Sequence, residues 1–417
     1  MSAPAPGGPG EADHAAGLAI ARELAGAAIW HGDLCTFQGA VPPNELGAPP
    51  IFATSGPDPY EGTAGIARFL ALAARFDDDP RLAATGRGAL RHAFAHAQGN
   101  ALFSGRTGVA VIALETGWQE FRDAARDMLE AAASAALDDP APPADLLAGD
   151  AGIIAGLAAV ARADPHGPWA ALATALGYRL VATGRDADDG LSWPVMPGQS
   201  DHLCGLAHGA AGIACAMESL AQLAPEAGPW RETARKARAF ERAWYAPEHG
   251  SWADLRSDAR GPGGEIGYPH MWCHGSVGIA AERLGADPGD ILARADRAAA
   301  LEGVLSSTSA ALALPRGPGG SDAINGSQCH GLSGVADLMI DAWRASGRPM
   351  WLDLARACTA AIRDDARRPE GWRSGVPGGH ASPGLMLGMA GIGWAQLRAA
   401  HPERVPSAWR IGSLLGG

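Results

Sequence analysis

The sequence predicts an all-α fold: an α/α toroid of seven inner and seven outer helices, with short extended excursions over one mouth. Three observations predict it. A Gly-x-x-Gly-[Ile/Val] unit recurs seven times, each unit opens a segment with helical apolar spacing, and no sheet signal accompanies them.

The glycine pairs are 62/65, 105/108, 149/152, 209/212, 275/278, 331/334 and 388/391, and their first members lie 43, 44, 60, 66, 56 and 57 residues apart. The segments that follow carry apolar residues at helical spacing, as in Ile66–Phe69–Leu70 and Ile213–Met217–Leu220. Helices apolar all round must be buried, so these are the inner set. Between units lies a second, more charged helical stretch. The clearest are Arg81–Gln98, Gln119–Ala136, Trp230–Trp244 and Trp351–Arg367, with Ala15–Trp30 leading the series. Seven similar pairs close most simply into one ring, a single domain from residue 14 to 417 behind a disordered tail of residues 1–13. The longer middle spacings hold tryptophan-bearing excursions (Gly190–Pro194, Gly250–Asp254, Gly371–Ser374) that are too short and too rich in Gly and Pro for helices. Glycine at each helix start is expected to let the backbone bend and neighbouring helices approach. It is also expected to leave helix N-terminal N–H groups bare, favouring an anion at the centre.

Composition narrows the function. Hydrophobic residues make up 47% of the 417 positions, enough for a sizeable core and too much for disorder. The 57 glycines are not spaced every third residue, which excludes a collagen-like chain. A net charge of −12 argues against a nucleic-acid or anionic-membrane surface. No apolar run reaches the length of a membrane span, and the N-terminus lacks a signal peptide's apolar core, so a cytoplasmic protein is expected. Six scattered cysteines fit metal binding or catalysis in a reducing compartment better than a disulfide scaffold.

The positions just before the glycines carry the chemistry. Aligned on the first glycine, the preceding residues are Glu61, Ser104, Ala148, His208, His274, His330 and Leu387. One step earlier stand Tyr60, Phe103, Leu147, Ala207, Cys273, Cys329 and Met386. Three consecutive repeats therefore place His beside glycine, and two of them place Cys before the His. Two cysteines with histidines converging on one point form a donor set suited to zinc. Two thiolates and one imidazole leave a fourth tetrahedral position open, as in catalytic sites. By spacing alone, Cys273 and Cys329 are the thiolates and either His330 or His274 the third ligand.

The segments Gly205-Leu-Ala-His208-Gly-Ala-Ala-Gly-Ile, Trp272-Cys273-His274-Gly275, Cys329-His330-Gly331-Leu-Ser-Gly and Ser382-Pro-Gly-Leu-Met-Leu-Gly-Met-Ala-Gly-Ile-Gly393 resemble the lanthionine synthetase C (LanC-like) cyclase family over nearly the full chain. The resemblance implies an α/α toroid with one catalytic Zn2+ held by Cys273, Cys329 and His330. It also implies an acid/base role for His208, with Asp145 matching a family aspartate, while His274 stands where some members have tyrosine. The implied substrate is a precursor peptide, leader plus core, whose Ser and Thr residues a separate dehydratase has converted to dehydroalanine or dehydrobutyrine. A peptide cysteine then adds through sulfur to the alkene, and the resulting enolate takes a proton on its α-carbon to leave a thioether ring. A free thiol is only a few per cent ionised at neutral pH; full ionisation by a metal is worth about 2 kcal/mol at 1.36 kcal/mol per pKa unit. A histidine with a pKa near neutrality suits the protonation, His208 first and His274 second.

One departure stands out: Pro269 occupies the place of an arginine that some stand-alone members carry four residues before the first zinc cysteine, so His274 or the helix N-termini would steady the anion. His202 and His270 fall outside the glycine frame and read as ordinary polar residues. Addition of another thiol, such as glutathione, to dehydrated proteins would use the same site. A peptide-binding toroid without catalysis would have lost the ligands, which are all present. A glycosidase needs two facing carboxylates, and the frame supplies Asp145, with Glu61 alone in the first unit.

Overall fold

The computed structural model describes residues 8, 10–41, 49–187, 190–195, 202–314 and 324–415. Among them, seven helices follow a glycine unit: α2 (Thr63–Ala73), α4 (Arg106–Thr116), α6 (Asp150–Ala163), α8 (Ala210–Leu223), α10 (Ser276–Gly285), α12 (Leu332–Ser346) and α14 (Met389–Ala400). Seven others alternate with them: α1 (Glu11–Gly26), α3 (Pro80–His96), α5 (Arg122–Asp138), α7 (Trp169–Thr183), α9 (Trp230–Arg242), α11 (Ile291–Ala313) and α13 (Pro349–Asp365). Burial separates the two kinds. All twelve residues of α14 are buried, whereas α5 buries five of seventeen, in a single stripe of Ala125, Leu129, Ala132, Ala133 and Ala136.

The chain groups into two compact units: residues 1–97, 112–119 and 308–414 form the first, and residues 98–111, 120–307 and 415–417 the second. The first unit holds α1, α2, α3, α12, α13 and α14, together with two antiparallel hairpins. These are β1 (Ile29–His31) with β2 (Leu34–Thr36), and β3 (Gln38–Val41) with β4 (Ile51–Thr54). The second unit holds α5 to α10 and most of α11, with hairpins β5 (Arg185–Ala187)/β6 (Gly190–Ser192) and β7 (Tyr245–Ala246)/β8 (Ser251–Trp252).

Each glycine unit ends a loop that curls back on itself. A Cβ on the second glycine would lie 2.2 Å from the Pro59 carbonyl at Gly65, 2.1 Å from Leu146 at Gly152, 2.1 Å from Trp272 at Gly278 and 1.9 Å from Leu385 at Gly391. In each case the obstructing carbonyl is six residues earlier. The same glycines admit the previous repeat: Leu102 Cβ comes within 2.9 Å of that position at Gly152, and Leu146 Cβ within 2.8 Å at Gly212. Close approach is therefore the reason for glycine at these starts. Most of the first glycines have extended dihedrals that any residue adopts, Gly149 for instance at φ −122° and ψ −165°. Gly275 is different, with φ +87°.

The helix starts are not bare. The curled loops present carbonyls to them, so Thr63 N–H donates to Gly56, Asp150 to Pro143, Ala210 to Leu203, Leu332 to Asn325 and Met389 to Ser382. Each of these acceptors is seven residues upstream. This corrects the expectation of exposed N–H groups favouring an anion: the loop that the glycines permit also consumes the donors.

Backbone hydrogen bonds join successive loops at the position two before the first glycine. In the second unit, Phe103 N–H donates to Leu147, Leu147 to Ala207 and Ala207 to Cys273. In the first, Cys329 donates to Met386 and Met386 to Tyr60.

Several expected boundaries move. The first helix spans Glu11–Gly26 rather than Ala15–Trp30, because Glu11 and Asp13 favour its N-terminus and Trp30 pairs with Cys35 in β1–β2. Of the expected tail, residues 1–7 and Pro9 lie outside the described residues. The Gly190 excursion lies against α9, where a Cβ would meet the Lys236 carbonyl at 2.1 Å. Buried Trp193 donates its indole N–H to Leu180. No strand is found at Gly371–Ser374 among the described residues.

Candidate functional site

In the second unit the loops before α6, α8 and α10 bring together Asp145, His208, Cys273 and His274. His208 Nδ1–H donates to Asp145 Oδ2 at 2.8 Å, leaving Nε2 for chemistry. Asp145 is buried, and its Oδ1 accepts from the Ala148 N–H at 2.6 Å, so the carboxylate is fixed by its own helix start. The His208 side chain keeps 31% of its surface exposed, which makes it the accessible member of the pair. His274 stacks beside it with ring centroids 6.0 Å apart and 26° between planes. Burial lowers the pKa of His274, with the Arg256 charge acting in the same direction and Cys273 opposing it. A neutral His274 spares His208 a cationic neighbour.

Two supports hold these loops. Gly205, at φ +99°, lets the His208 loop pass so close to the next one that a Cβ would sit 2.8 Å from the Cys273 carbonyl. Glu241, fully buried on α9, accepts from the Gly205 and Ala211 N–H groups at 2.9 Å each, one on either side of His208. Arg283 balances that carboxylate at 2.8 Å. Arg283 is part of a buried ion network in which Arg238 pairs with Glu218 at 2.9 Å and Glu282 at 2.5 Å.

In the first unit, Cys329 is buried and His330 half-buried, directly before α12. His330 Nε2–H donates to the Gly375 carbonyl at 3.0 Å, which leaves Nδ1 as its unprotonated nitrogen. A Cβ at Gly375 would come within 2.8 Å of Nε2, so only glycine allows that approach. The candidate donors are Cys273 of the second unit and Cys329 and His330 of the first. Two thiols and an imidazole with a prepared tautomer fit a zinc ion by donor chemistry.

The remaining candidates separate cleanly. His202 shares a hydrogen bond with Ser192 at 2.7 Å and His270 with Ser276 at 2.6 Å. Glu61 is not alone: Ser382 Oγ–H donates to it at 2.8 Å and Leu387 N–H at 2.6 Å. Burial pushes its carboxyl up to about 8 against those bonds. Sequence reasoning missed Asp254 and Arg256. Their side chains form a two-pronged pair, Nε to Oδ1 at 3.0 Å and Nη2 to Oδ2 at 2.6 Å, and the Arg256 charge acts on both Cys273 and His274. The only signal in the sequence was a two-residue spacing in a loop outside the glycine frame.

A family model described as lanthionine synthetase C-like protein matches residues 54–409. The chain belongs to that family. Among solved structures, nisin cyclase aligns at 18% identity over 86% of this chain and 93% of its own, with a TM-score of 0.63. That likeness shows the α/α toroid of the LanC-like fold. Cellobiose 2-epimerase from Spirochaeta thermophila DSM 6192 aligns at 15% identity over 94% of this chain and 96% of its own, with a TM-score of 0.46. An unsaturated glucuronyl hydrolase from Bacillus sp. GL1 aligns at 16% over 95% and 97%, with a TM-score of 0.42. No curated protein matches significantly. No helix of this LanC-like chain, among the described residues, is long and apolar enough to cross a membrane.

Proposed function

We propose that this LanC-like chain is a zinc-dependent lanthionine synthetase, adding cysteine thiols of a dehydrated precursor peptide to dehydroalanine or dehydrobutyrine. The observation that carries the reading is the Asp145–His208 pair at 2.8 Å on the loop next to Cys273, in a chain of this family. A proton carrier and a soft ligand then share one support, as thiol addition followed by protonation requires.

Cys273, Cys329 and His330 would hold the zinc ion, which when bound ionises the substrate thiol at neutral pH. The chain's own groups do the rest. Asp145 fixes the tautomer and ring plane of His208, so that Nε2 faces the substrate carrying or accepting a proton. A histidine held this way can deliver that proton to the α-carbon of the enolate. His274, buried and neutral, flanks His208 without opposing its charge. Arg256 supplies positive charge at the Cys273–His274 loop, the task that Pro269 cannot perform, and Asp254 holds its guanidinium in place.

The substrate must reach this enzyme already dehydrated, so a separate dehydratase acts before it. The test is incubation with a dehydrated peptide followed by thiol alkylation and mass spectrometry. Cyclisation leaves the mass unchanged, so loss of alkylatable cysteine reports it. A zinc-loaded preparation that leaves every peptide thiol alkylatable would overturn the reading. Transfer of glutathione in its place, seen as an added mass, would redirect it.

A further inference from the structure

We infer that the second unit carries a peptide subsite beside the catalytic loop, which takes an apolar side chain next to an acidic residue of the precursor peptide. The inference rests on the cyclase reading for its occupant. The observation is a cavity of about 340 Å³ whose lining includes Pro140, Pro142, Ala144, Trp193, Arg179 and Arg185. That volume is at the lower end of small-ligand pockets, the size of one or two side chains.

The lining has little polar capacity left. Proline has no N–H, and Pro140, Pro142 and Pro143 fall within the five residues before Asp145. The Ala141 N–H is bonded to Asp139 at 3.0 Å, and the carbonyls of Pro143 and Ala144 accept from Asp150 and Ala151. The Trp193 indole N–H is bonded to Leu180 at 2.9 Å. Arg179 is engaged by Asp150 at 2.7 Å and by the Ala136 carbonyl at 2.8 Å. The apolar part of the wall is proline rings, methyl groups and an indole, and the Thr183 hydroxyl at the rim is already donated to the Arg179 carbonyl at 2.9 Å. Arg185 differs: it is exposed, its backbone pairs with Ser192 in β5–β6, and its guanidinium has no hydrogen bond or ion pair among the described residues. An apolar wall with one uncommitted guanidinium suits an apolar side chain flanked by a carboxylate.

Position says what that ligand is. Ala144, in the wall, is bonded through its backbone to Asp145, whose carboxylate holds His208 at 2.8 Å. A peptide seated in the cavity therefore lies against the same loop that orients the proton carrier. The substrate of this site is a peptide long enough to reach both.

The experiment uses the full-length zinc-loaded protein and two dehydrated peptides, one with a Phe-Asp pair upstream of the ring-forming residues and one with Phe-Lys there. Direct binding by fluorescence anisotropy is read separately from cyclisation. Arg185→Glu should weaken binding and raise KM for the Phe-Asp peptide about fivefold, as expected for one partly exposed charge pair, with zinc content unchanged. The same variant should prefer the Phe-Lys peptide. Thr183→Trp, which fills the cavity from its rim, should raise KM for both peptides. Unchanged binding of both peptides to Arg185→Glu would overturn the subsite even if cyclisation proceeds. If the wild-type protein binds the Phe-Asp peptide with the expected Arg185 dependence and never cyclises it, the cyclase reading fails and the subsite stands.

Discussion

Two histidines of this molecule are oriented by hydrogen bonds of similar length but opposite chemical meaning. In the second unit His208 leans on a carboxylate, Asp145, at 2.8 Å; in the first, His330 leans on a main-chain carbonyl, that of Gly375, at 3.0 Å. Both bonds select a tautomer. The carboxylate brings a full negative charge against its ring, whereas the carbonyl holds its ring by a dipole alone. The difference fits the two roles proposed for them, proton carrier and metal ligand, although both residues occupy the same place in the Gly-x-x-Gly frame.

Disrupting the ligand side should give the largest effect. Cys329→Ala, or Cys273→Ala, should lose both bound zinc by metal analysis and all cyclisation; full zinc in either variant would remove that cysteine from the ligand set. Changing the carrier should separate the roles. His208→Asn should keep stoichiometric zinc while its cyclisation rate drops by about 10²–10⁴-fold, the usual contribution of a positioned acid or base. Loss of zinc in that variant would mean that His208 also serves the metal.

The orienting partners come next. Gly375→Ala places a methyl group against His330 Nε2 and should weaken zinc affinity by about 10–100-fold, read by competition with a chelator. An unchanged affinity would show that the Gly375 contact does not set the ligand. Asp145→Asn should slow cyclisation about tenfold with zinc retained. Added to His208→Asn it should cost nothing more, because the carboxylate acts through that ring. The smallest effect concerns Glu61, at the same place in the first repeat. Its folded-state pKa, about 8, lies above the ordinary 4.5, so its contribution to stability is present at low pH and is lost as pH rises from 4.5 through 8. Glu61→Gln should flatten the fall of Tm across that window, and a slope identical to the wild type would clear Glu61 of the effect.

Much of this is legible in the sequence. Seven glycine pairs in register set the helix alternation, because a close approach repeated seven times leaves the same residue type at the same place. The frame also aligned His208, His274, His330, Cys273 and Cys329, since a side chain beside the glycine is carried with it. What stayed hidden has partners with no residue signature or a place off the frame. Gly375 acts through a carbonyl that every residue possesses, 45 positions from His330. Glu241 is on an outer helix, 36 residues from the Gly205 N–H that it accepts. Hairpins β1–β4 have strands of only three or four residues, too short to show an alternating pattern. The glycines do something the expectation of bare helix starts leaves out: they admit carbonyls of their own loop, and those carbonyls cap the helices.

The backbone bonds between successive loops have a consequence for how such a protein can change. Tyr60, Phe103, Leu147, Ala207, Cys273, Cys329 and Met386 share one station, and the links Phe103–Leu147–Ala207–Cys273 and Cys329–Met386–Tyr60 run through main-chain atoms alone. The mounting does not depend on the side chain mounted. An aromatic ring, a methyl group, a thioether and a thiol all sit on equivalent fixtures. Chemistry can therefore be exchanged one station at a time while the bearing structure is inherited unaltered.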